Sequence, residues 1–241
     1  LTQRDAYGDA GFSGGMAALK RRGLPESTKP LHVRYERNTV DVESAVADCL
    51  TAPRRTRAMI MVGAYAPCAA FIRLCRESGF NPHFINVSFV GPESLAKALG
   101  AVGDGEMITQ VVPTLDTQFP AAAAFRAALA ALPPEVHAEP TLGSLEGYAV
   151  GRMVLSALGR IPADEIPTRA NLAAALDSLG EFDVGLGERF RLDAANRQAS
   201  HRVWPSILRG GQVVALDWNE LKNPVSEGAS ADAVVADPIR P

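Results

Sequence analysis

The sequence predicts an α/β fold, with a doubly wound parallel sheet in one lobe and the helices of a second, incomplete lobe. Three observations lead to this prediction. Strand-like and helical segments alternate over residues 1–112, which is typical of parallel strands joined by crossover helices. Residues 58–62 form an unbroken apolar run, as expected for a parallel strand covered on both faces. After Pro113 three long helical segments follow without strands between them, so their apolar faces need another surface to cover them.

The first 57 residues begin the alternating pattern. Residues 1–4 have the character of the end of a strand whose beginning is absent, from which we expect a fragment of a longer protein. Residues 10–22 carry apolar side chains at helical spacing, and residues 32–36 alternate like a strand. A helix is predicted over residues 42–50. Asp41 lies near its amino end, where a carboxylate meets unpaired amides and the positive end of the helix dipole.

Residues 57–91 contain the clearest unit, which is a strand, a helix and a second strand. Apolar residues recur at helical spacing over residues 69–75, a Gly-Phe-Asn-Pro cluster at residues 79–82 stops that helix, and residues 84–86 form the next strand. In such βαβ units, ligands tend to bind beyond the carboxyl ends of the strands. The alternation then continues with helix 93–99 and strand 107–112.

The second half of the chain is predicted to contain helices followed by short strands. The helices cover residues 119–132, 142–158 and 168–179. Short strands are expected within residues 182–191 and 202–216, the last two forming a hairpin through residues 209–212. From Asp217 onward, small polar residues and prolines predict a loosely held tail or linker.

Composition excludes several classes of protein. Hydrophobic residues at 47% and charged residues at 21% are typical of an ordinary globular protein. The net charge of -3 leaves no basic excess for phosphates, so no nucleic-acid partner is predicted. No apolar run approaches the roughly 20 residues of a membrane span, and no signal peptide is visible in this chain. The three cysteines, Cys49, Cys68 and Cys75, are interpreted as buried free thiols, with a Cys49–Cys75 disulfide as the alternative.

Signatures of catalysis and metal binding are weak. Gly11–Gly15 match the letters of G-x-S-x-G, but a nucleophile elbow needs its serine directly between a strand and a helix, whereas residues 5–10 precede Ser13. Asp5 and Asp9 are candidates for an acid–base pair, although capping of a helix start explains them better. No nucleotide-binding glycine pattern is present. The histidines are too far apart in sequence for a metal motif: His32, His83, His137 and His201. We therefore predict no enzyme activity, cofactor or metal.

A set of polar and aromatic residues follows the carboxyl ends of the predicted parallel strands. Because these ends meet at one edge of a sheet, the side chains are expected to line one rim. Hydroxyls, an amide and aromatic faces suit reversible binding of a small molecule, in which a few polar groups orient the ligand. No activated base or nucleophile accompanies them, which argues against bond-breaking chemistry. The candidate ligand-binding residues are Tyr7, Tyr65, Asn86, Ser88 and Phe89.

Several short segments occur in a recognisable order and spacing. The first is Asp5–Gly11, and the others are Arg37–Asp41, Val62–Tyr65, Phe71–Phe80, Asn86–Gly91, Thr109–Pro113 and Leu145–Tyr148. With these segments the chain resembles the leucine/isoleucine/valine-type periplasmic binding proteins, which are substrate-binding subunits of ABC importers with the type I periplasmic binding protein fold. The resemblance covers about residues 1–216. It rests on the order and spacing of the segments, because none of them alone is specific.

The resemblance implies two α/β lobes that close on a small-molecule ligand held between them. Residues 1–112 would form most of the second lobe and residues 113–181 the helical part of the first. Residues 182–216 would return as strands to the second lobe, and residues 217–241 would be a tail or linker. The family's first lobe begins with βα units that this chain does not contain. The resemblance also implies a periplasmic location and an ABC transporter membrane permease as partner.

Three residues match the positions of the family's second-lobe contacts. Tyr7 and Tyr65 match aromatic contacts, and Ser88 stands where members that bind amino acids often have an acidic residue for the ligand ammonium. A serine cannot neutralise a cation, which favours an aromatic acid, keto acid or amide over an amino acid. Two other functions stay open at this point. One is the ligand-sensing extracellular domain of a receptor with the same fold, and the other is a hydrolase that uses Ser13.

Overall fold

The structure, a computed structural model, describes residues 1–25, 27, 29–54, 56–116, 118–133, 135, 136 and 138–220. Strands and helices alternate through the first part of the chain, with single-turn 3₁₀ helices at Ser88–Val90 and Gly100–Gly103. The elements are β1 (Thr2–Gln3), α1 (Ala6–Arg21), β2 (Arg34–Tyr35), α2 (Glu43–Leu50), β3 (Ala58–Met61), α3 (Tyr65–Glu77), β4 (His83–Val87), α4 (Pro92–Leu99) and β5 (Met107–Gln110).

Helices dominate the second part as far as Asp177, and four strands follow between Gly180 and Ala215. The elements are α5 (Pro120–Ala130), α6 (Leu142–Leu158), α7 (Arg169–Asp177), β6 (Gly180–Phe182), β7 (Phe190–Leu192), β8 (Trp204–Arg209) and β9 (Gln212–Ala215). The predicted hairpin through residues 209–212 is confirmed, because β8 and β9 pair antiparallel on either side of Gly210 and Gly211. His137 and the part of the predicted tail beyond Glu220 lie outside the described residues.

The α/β fold with a mainly parallel sheet is confirmed. Five strands pair in the order β3-β4-β5-β8-β9, with β3, β4 and β5 parallel and the last two antiparallel. A second parallel pair, β1 with β2, continues this sheet because Thr2 bridges Val62 at the end of β3. Backbone hydrogen bonds from Gln3 N to Val62 O (3.1 Å) and from Val62 N to Leu1 O (3.0 Å) hold that join.

Buried side chains form two apolar clusters. The sheet cluster lies between one face of the sheet and helices α2, α3 and α4, and its fully buried members include Met61, Phe71, Phe84, Leu95 and Ile108. The helix cluster joins α5, α6 and α7 to β6 and β7, and it includes Phe125, Leu145, Leu179, Phe182 and Phe190. Residues 180–192 therefore pack with the helices, and the return to the large sheet begins at Trp204.

Helix α1 begins four residues earlier than the sequence predicts. Asp5 is its N-cap, and the Asp5 Oδ1 atom accepts a hydrogen bond from Gly8 N at 3.0 Å. Four glycines in the helix weaken the helical signal, since glycine disfavours a helix interior. The same finding excludes a nucleophile elbow, because Ser13 is an exposed residue in the interior of α1.

The remaining sequence predictions concern thiols and membrane spans. All three cysteines are free and buried, so the thiol interpretation is confirmed and the Cys49–Cys75 disulfide is absent. Among the residues that the structure describes, no helix combines the length and the apolar character that crossing a membrane requires.

Candidate functional site

The carboxyl ends of the parallel strands meet at one rim, from which helices begin. Tyr7 is the second residue of α1 and follows β1, while Tyr65 is the first residue of α3 and follows β3. Ser88 and Phe89 follow β4 in a 3₁₀ turn. Parallel pairing brings these segments to the same edge of the sheet, which is where such folds bind ligands.

Tyr7 and Phe89 form an aromatic pair at this rim. Their ring centroids are 4.8 Å apart and the ring planes are tilted by 54°. The Phe89 side chain is 69% exposed, so it offers an aromatic face to solvent. Tyr7 is half-buried, and its buried hydroxyl has no hydrogen-bond partner. Burial raises the pKa of Tyr7 to about 12, which keeps the phenol neutral and able to donate.

A hydrogen-bond chain fixes the helix end that carries Tyr7. The Tyr35 hydroxyl donates to Gln3 Oε1 (3.1 Å), and Gln3 Nε2 donates to Asp5 Oδ2 (2.6 Å). The Gly8 amide, which donates to the other carboxylate oxygen, is the main cause that lowers the pKa of Asp5. Two strands thus set the N-cap of α1, and the N-cap sets the position of Tyr7.

Ser88 lies beside a cavity between the sheet rim and the helix cluster. This front cavity, of about 360 Å³, is lined among others by Ser88, Phe89, Glu93, Gln110, Leu142 and Glu146. Ser88 is half-buried, and its hydroxyl bonds to no residue that the structure describes. Glu93 already has a hydrogen-bond partner, because its Oε1 accepts from Leu142 N at 2.7 Å. Glu146 is an exposed carboxylate on α6.

The candidate residues occupy different surroundings. Tyr7 and Phe89 are in contact. Ser88 precedes Phe89 in the chain, and both of them line the front cavity. Tyr65 is 46% exposed at the start of α3. Asn86 lies beneath the rim, because it is fully buried in β4 between its register partners Met61 and Ile108.

Asn86 is a buried amide without partners. Neither its Oδ1 nor its Nδ2 makes a hydrogen bond. A buried polar group left unpaired costs free energy, so we expect Asn86→Leu, which keeps the branched shape, to raise the free energy of unfolding by about 1 kcal/mol. Urea unfolding of both proteins measures the difference.

Gln110 provides the matched control for Asn86. It is also a buried amide, but its Nε2 donates to Ser206 Oγ at 2.9 Å. Gln110→Met is therefore expected to lower the free energy of unfolding by about 1 kcal/mol. If Asn86→Leu lowers the free energy of unfolding as much as Gln110→Met does, the Asn86 amide has a hydrogen-bond partner such as an internal water, and its role is structural.

Sequence reasoning missed two groups that line the front cavity. Gln110 is buried under the rim, and Glu93 reaches the amino end of α6. The sequence carries a signal for the helix start, since Thr141 and Ser144 form a capping box. It carries none for the contact with Glu93, because a residue 49 positions away supplies the acceptor.

The histidine and aspartate candidates for metal binding or acid–base chemistry have structural roles where the structure shows their contacts. His32 stacks on Phe12, with ring centroids 3.8 Å apart, and its Nε2 is 2.8 Å from Thr2 Oγ1. Within the described ranges, no group of three or more His, Cys, Asp or Glu side chains is arranged to hold a metal ion. Asp5 caps α1 and Asp9 pairs with Arg34, so these two carboxylates serve the start of a helix.

Comparison with known proteins gives consistent matches. A profile of the family described as periplasmic binding protein matches residues 1–212. A solved structure of a possible leucine/isoleucine/valine-binding protein from Rhodopirellula baltica SH 1 is 42% identical, with a TM-score of 0.86. That match covers 91% of this chain and 58% of the other. A substrate-binding periplasmic protein from Ralstonia solanacearum is 26% identical with a TM-score of 0.76, over 89% of this chain and 59% of the other.

More distant structures share the same fold. A leucine binding protein, LivK, from Thermotoga maritima MSB8 is 18% identical with a TM-score of 0.72, and the match covers 90% of this chain and 58% of the other. The chain thus spans less than two thirds of the length of each of these structures. No curated protein matches the chain in sequence. The matching family and its solved members are solute-binding proteins, not enzymes.

Proposed function

Because the chain belongs to the periplasmic binding protein family, we propose that it is part of the solute-binding protein of an ABC-type importer. It captures a small organic ligand in the periplasm and delivers it to the membrane permease. Tyr7, Tyr65, Ser88 and Phe89 form one wall of the binding cleft, and Asn86 supports that wall from beneath.

The observation that carries this proposal is the Tyr7–Phe89 pair beside the front cavity. It offers an exposed aromatic face and a neutral phenol hydroxyl without a partner. Such a wall can stack on an apolar or aromatic body, which suits capture without chemistry. The ligand binds the closed arrangement of the lobes better than the open one, and this difference drives closure.

Charge at the wall favours a class of ligand. Ser88 carries no charge, and Glu93 already accepts from a backbone amide. The other carboxylate of the front cavity, Glu146, is exposed on α6, so an ammonium group finds no uncommitted buried carboxylate at this wall. A neutral or anionic group can instead accept a hydrogen bond from the Ser88 hydroxyl. We propose an aromatic acid, a keto acid or an amide as the ligand. The name of the Rhodopirellula baltica structure adds leucine, isoleucine and valine as the alternative class.

A thermal-shift screen of the full-length protein tests the proposal. The probes are benzoate, phenylpyruvate, 2-oxoisocaproate, benzamide and the three branched-chain amino acids. A ligand present at one hundred times its Kd adds about 2.7 kcal/mol of stability, which raises Tm by several degrees. We expect at least one acid or amide to do so. A shift with the amino acids alone overturns the assignment of ligand class, and no shift with any probe speaks against solute capture of these classes.

Tyr7→Ala tests the wall itself. Loss of the ring and its hydroxyl is expected to weaken binding of the ligand found in the screen by about 30-fold, or about 2 kcal/mol. Tyr148→Ala is the matched control, because Tyr148 packs on Phe125 in the helix cluster with ring centroids 5.6 Å apart. Titration calorimetry should give wild-type affinity for Tyr148→Ala. Wild-type affinity in Tyr7→Ala would remove Tyr7 from the site.

A further inference from the structure

A side chain of α4 connects the two apolar clusters. Helix α4 buries Leu95 and Leu99 in the sheet cluster, and α6 buries Leu142 and Leu145 in the helix cluster. Glu93, in the first turn of α4, accepts a hydrogen bond from the Leu142 amide at 2.7 Å. We call this contact the Glu93 clasp.

The clasp joins a carboxylate to the amino end of a 17-residue helix. Leu142 is the first residue of α6, so its amide has no partner inside the helix, and the positive end of the helix dipole favours an anion there. The helix is already capped from within. Thr141 Oγ1 accepts from Ser144 N (3.0 Å), and Thr141 N donates to Ser144 Oγ (2.8 Å). Glu93 therefore contributes an attachment between clusters in addition to the local cap of α6.

The Glu93 clasp lies between two cavities. Glu93 and Leu142 line the front cavity beside Ser88, and they also line a rear cavity of about 560 Å³. The rear cavity is bounded further by Lys97, Thr114, Leu115, Pro140 and Gln212. The clasp thus separates two open volumes at the junction of the clusters. Because both cavities lie at this junction, a change in the angle between the clusters would alter both volumes.

We propose that Glu93 is a positioning residue for ligand capture. Its carboxylate holds the amino end of α6 against α4, and so it fixes the angle between the two clusters and the width of the front cavity. This inference rests on the proposed function, in which the front cavity belongs to the cleft that closes on a ligand. The hydrogen bond is charge-assisted, and breaking it leaves a buried amide unpaired.

Distance measurements on the ligand-free, full-length protein test the clasp. Spin labels at Glu77→Cys on α3 and Arg152→Cys on α6 report the separation of the clusters by double electron–electron resonance. Both positions are exposed, while the three native thiols are buried. We expect one narrow distance distribution with Glu93 present and a clearly broader one in Glu93→Ala. Glu93→Gln keeps an acceptor oxygen and is expected to restore a narrower distribution than Glu93→Ala.

Glu146→Gln is the matched control. Glu146 also lines the front cavity and lies on α6, one turn from Leu142, so its loss removes the same charge without touching the clasp. Its distribution should equal that of the wild type. In hydrogen exchange, the Leu142 amide should exchange at least about tenfold faster in Glu93→Ala and at the wild-type rate in Glu146→Gln.

If Glu93 only stabilises the fold, the distance measurement gives a different result. In that case Glu93→Ala lowers Tm but leaves the distance distribution narrow, and the proposal is overturned. Equal broadening in Glu146→Gln overturns it as well, because a general charge effect then explains both variants. No ligand enters these measurements, so a failed ligand screen and a failed clasp are distinguishable outcomes.

Discussion

Gly8→Ala is expected to lower the free energy of unfolding by about 3 kcal/mol and to abolish ligand capture. A Cβ added at Gly8 would lie 1.9 Å from the carbonyl oxygen of Gln3 and 2.9 Å from its carbonyl carbon. Gln3 cannot yield easily, because its backbone is bonded to Val62 and its oxygen accepts from Asp5 N. The amino end of α1 must therefore move away from β1, and Tyr7 moves with it.

Gly14→Ala is the matched control in the same helix. No atom lies within 4 Å of a Cβ added at Gly14. Alanine there is expected to stabilise the protein by about 0.5–1 kcal/mol, since glycine loses more backbone entropy in a helix. Urea unfolding and titration of the ligand found in the screen give both readouts. Equal stability of the two variants would show that α1 tolerates a side chain facing β1.

Glu106→Gln is expected to stabilise the protein at pH 8 by about 2–4 kcal/mol. Glu106 is fully buried, and although its Oε1 accepts from Arg76 Nη2 at 2.7 Å, its Oε2 has no partner. Burial raises the pKa of Glu106 to about 8, against the opposing effect of Arg76. The neighbouring thiols of Cys68 and Cys75 stay neutral, because burial raises the pKa of each to about 12.

The sign of the pH dependence follows from this shift. The pKa of Glu106 is higher in the folded protein than in the unfolded chain, so the folded state favours the protonated carboxyl. Its stabilising contribution is complete below the ordinary glutamate pKa and is lost as pH rises through about 8. The difference in unfolding free energy between Glu106→Gln and wild type should therefore grow from pH 5 to pH 8. A difference that is constant over this range contradicts the assignment.

Arg76→Ala is expected to change the free energy of unfolding in the opposite direction from Glu106→Gln. Arg76 also donates to the carbonyl oxygens of Val102 and Asp104, so it keeps partners when Glu106 is neutral or replaced. Glu106 has no comparable substitute for Arg76. Removing the arginine leaves the buried Glu106 carboxyl without its hydrogen-bond partner and further favours its protonated form, and we expect a loss of about 2 kcal/mol in the free energy of unfolding at pH 8. If both variants lose stability at pH 8, the ion pair is net favourable in spite of its burial.

The sequence predicts the fold better than it predicts the site. Alternation of apolar strands and helices predicts the parallel sheet, and two adjacent glycines mark the β8–β9 hairpin. The sequence misses the start of α1 because glycines at positions 8, 11, 14 and 15 lower its helix propensity. The Asp5 cap and contact with β1 stabilise the helix in spite of these glycines. Tertiary contacts override weak local propensity there.

Two residues show why the site is harder to predict. Asn86 shares a strand face with Phe84, two positions earlier, and this face is buried by α3 and α4. The period of a strand places Asn86 in the core, whereas its place at a strand end suggested the rim. Glu106 follows a glycine turn and carries a charge that suggests exposure. Its burial depends on Arg76, which is 30 positions away, and no local pattern encodes that contact.

The order of strands in the sheet also shapes how the chain assembles. Strand β5 pairs with β8 across about a hundred residues, Met107 with Ile207, and the whole helix cluster is inserted between them. On a ribosome, the nascent sheet has a free β5 edge until the β8–β9 hairpin has emerged. Closing a loop of this length slows folding, and a bare strand edge is a site for mispairing. Because the helix cluster lies between the two strands in sequence, its folding would shorten the length of free chain that separates β5 from β8.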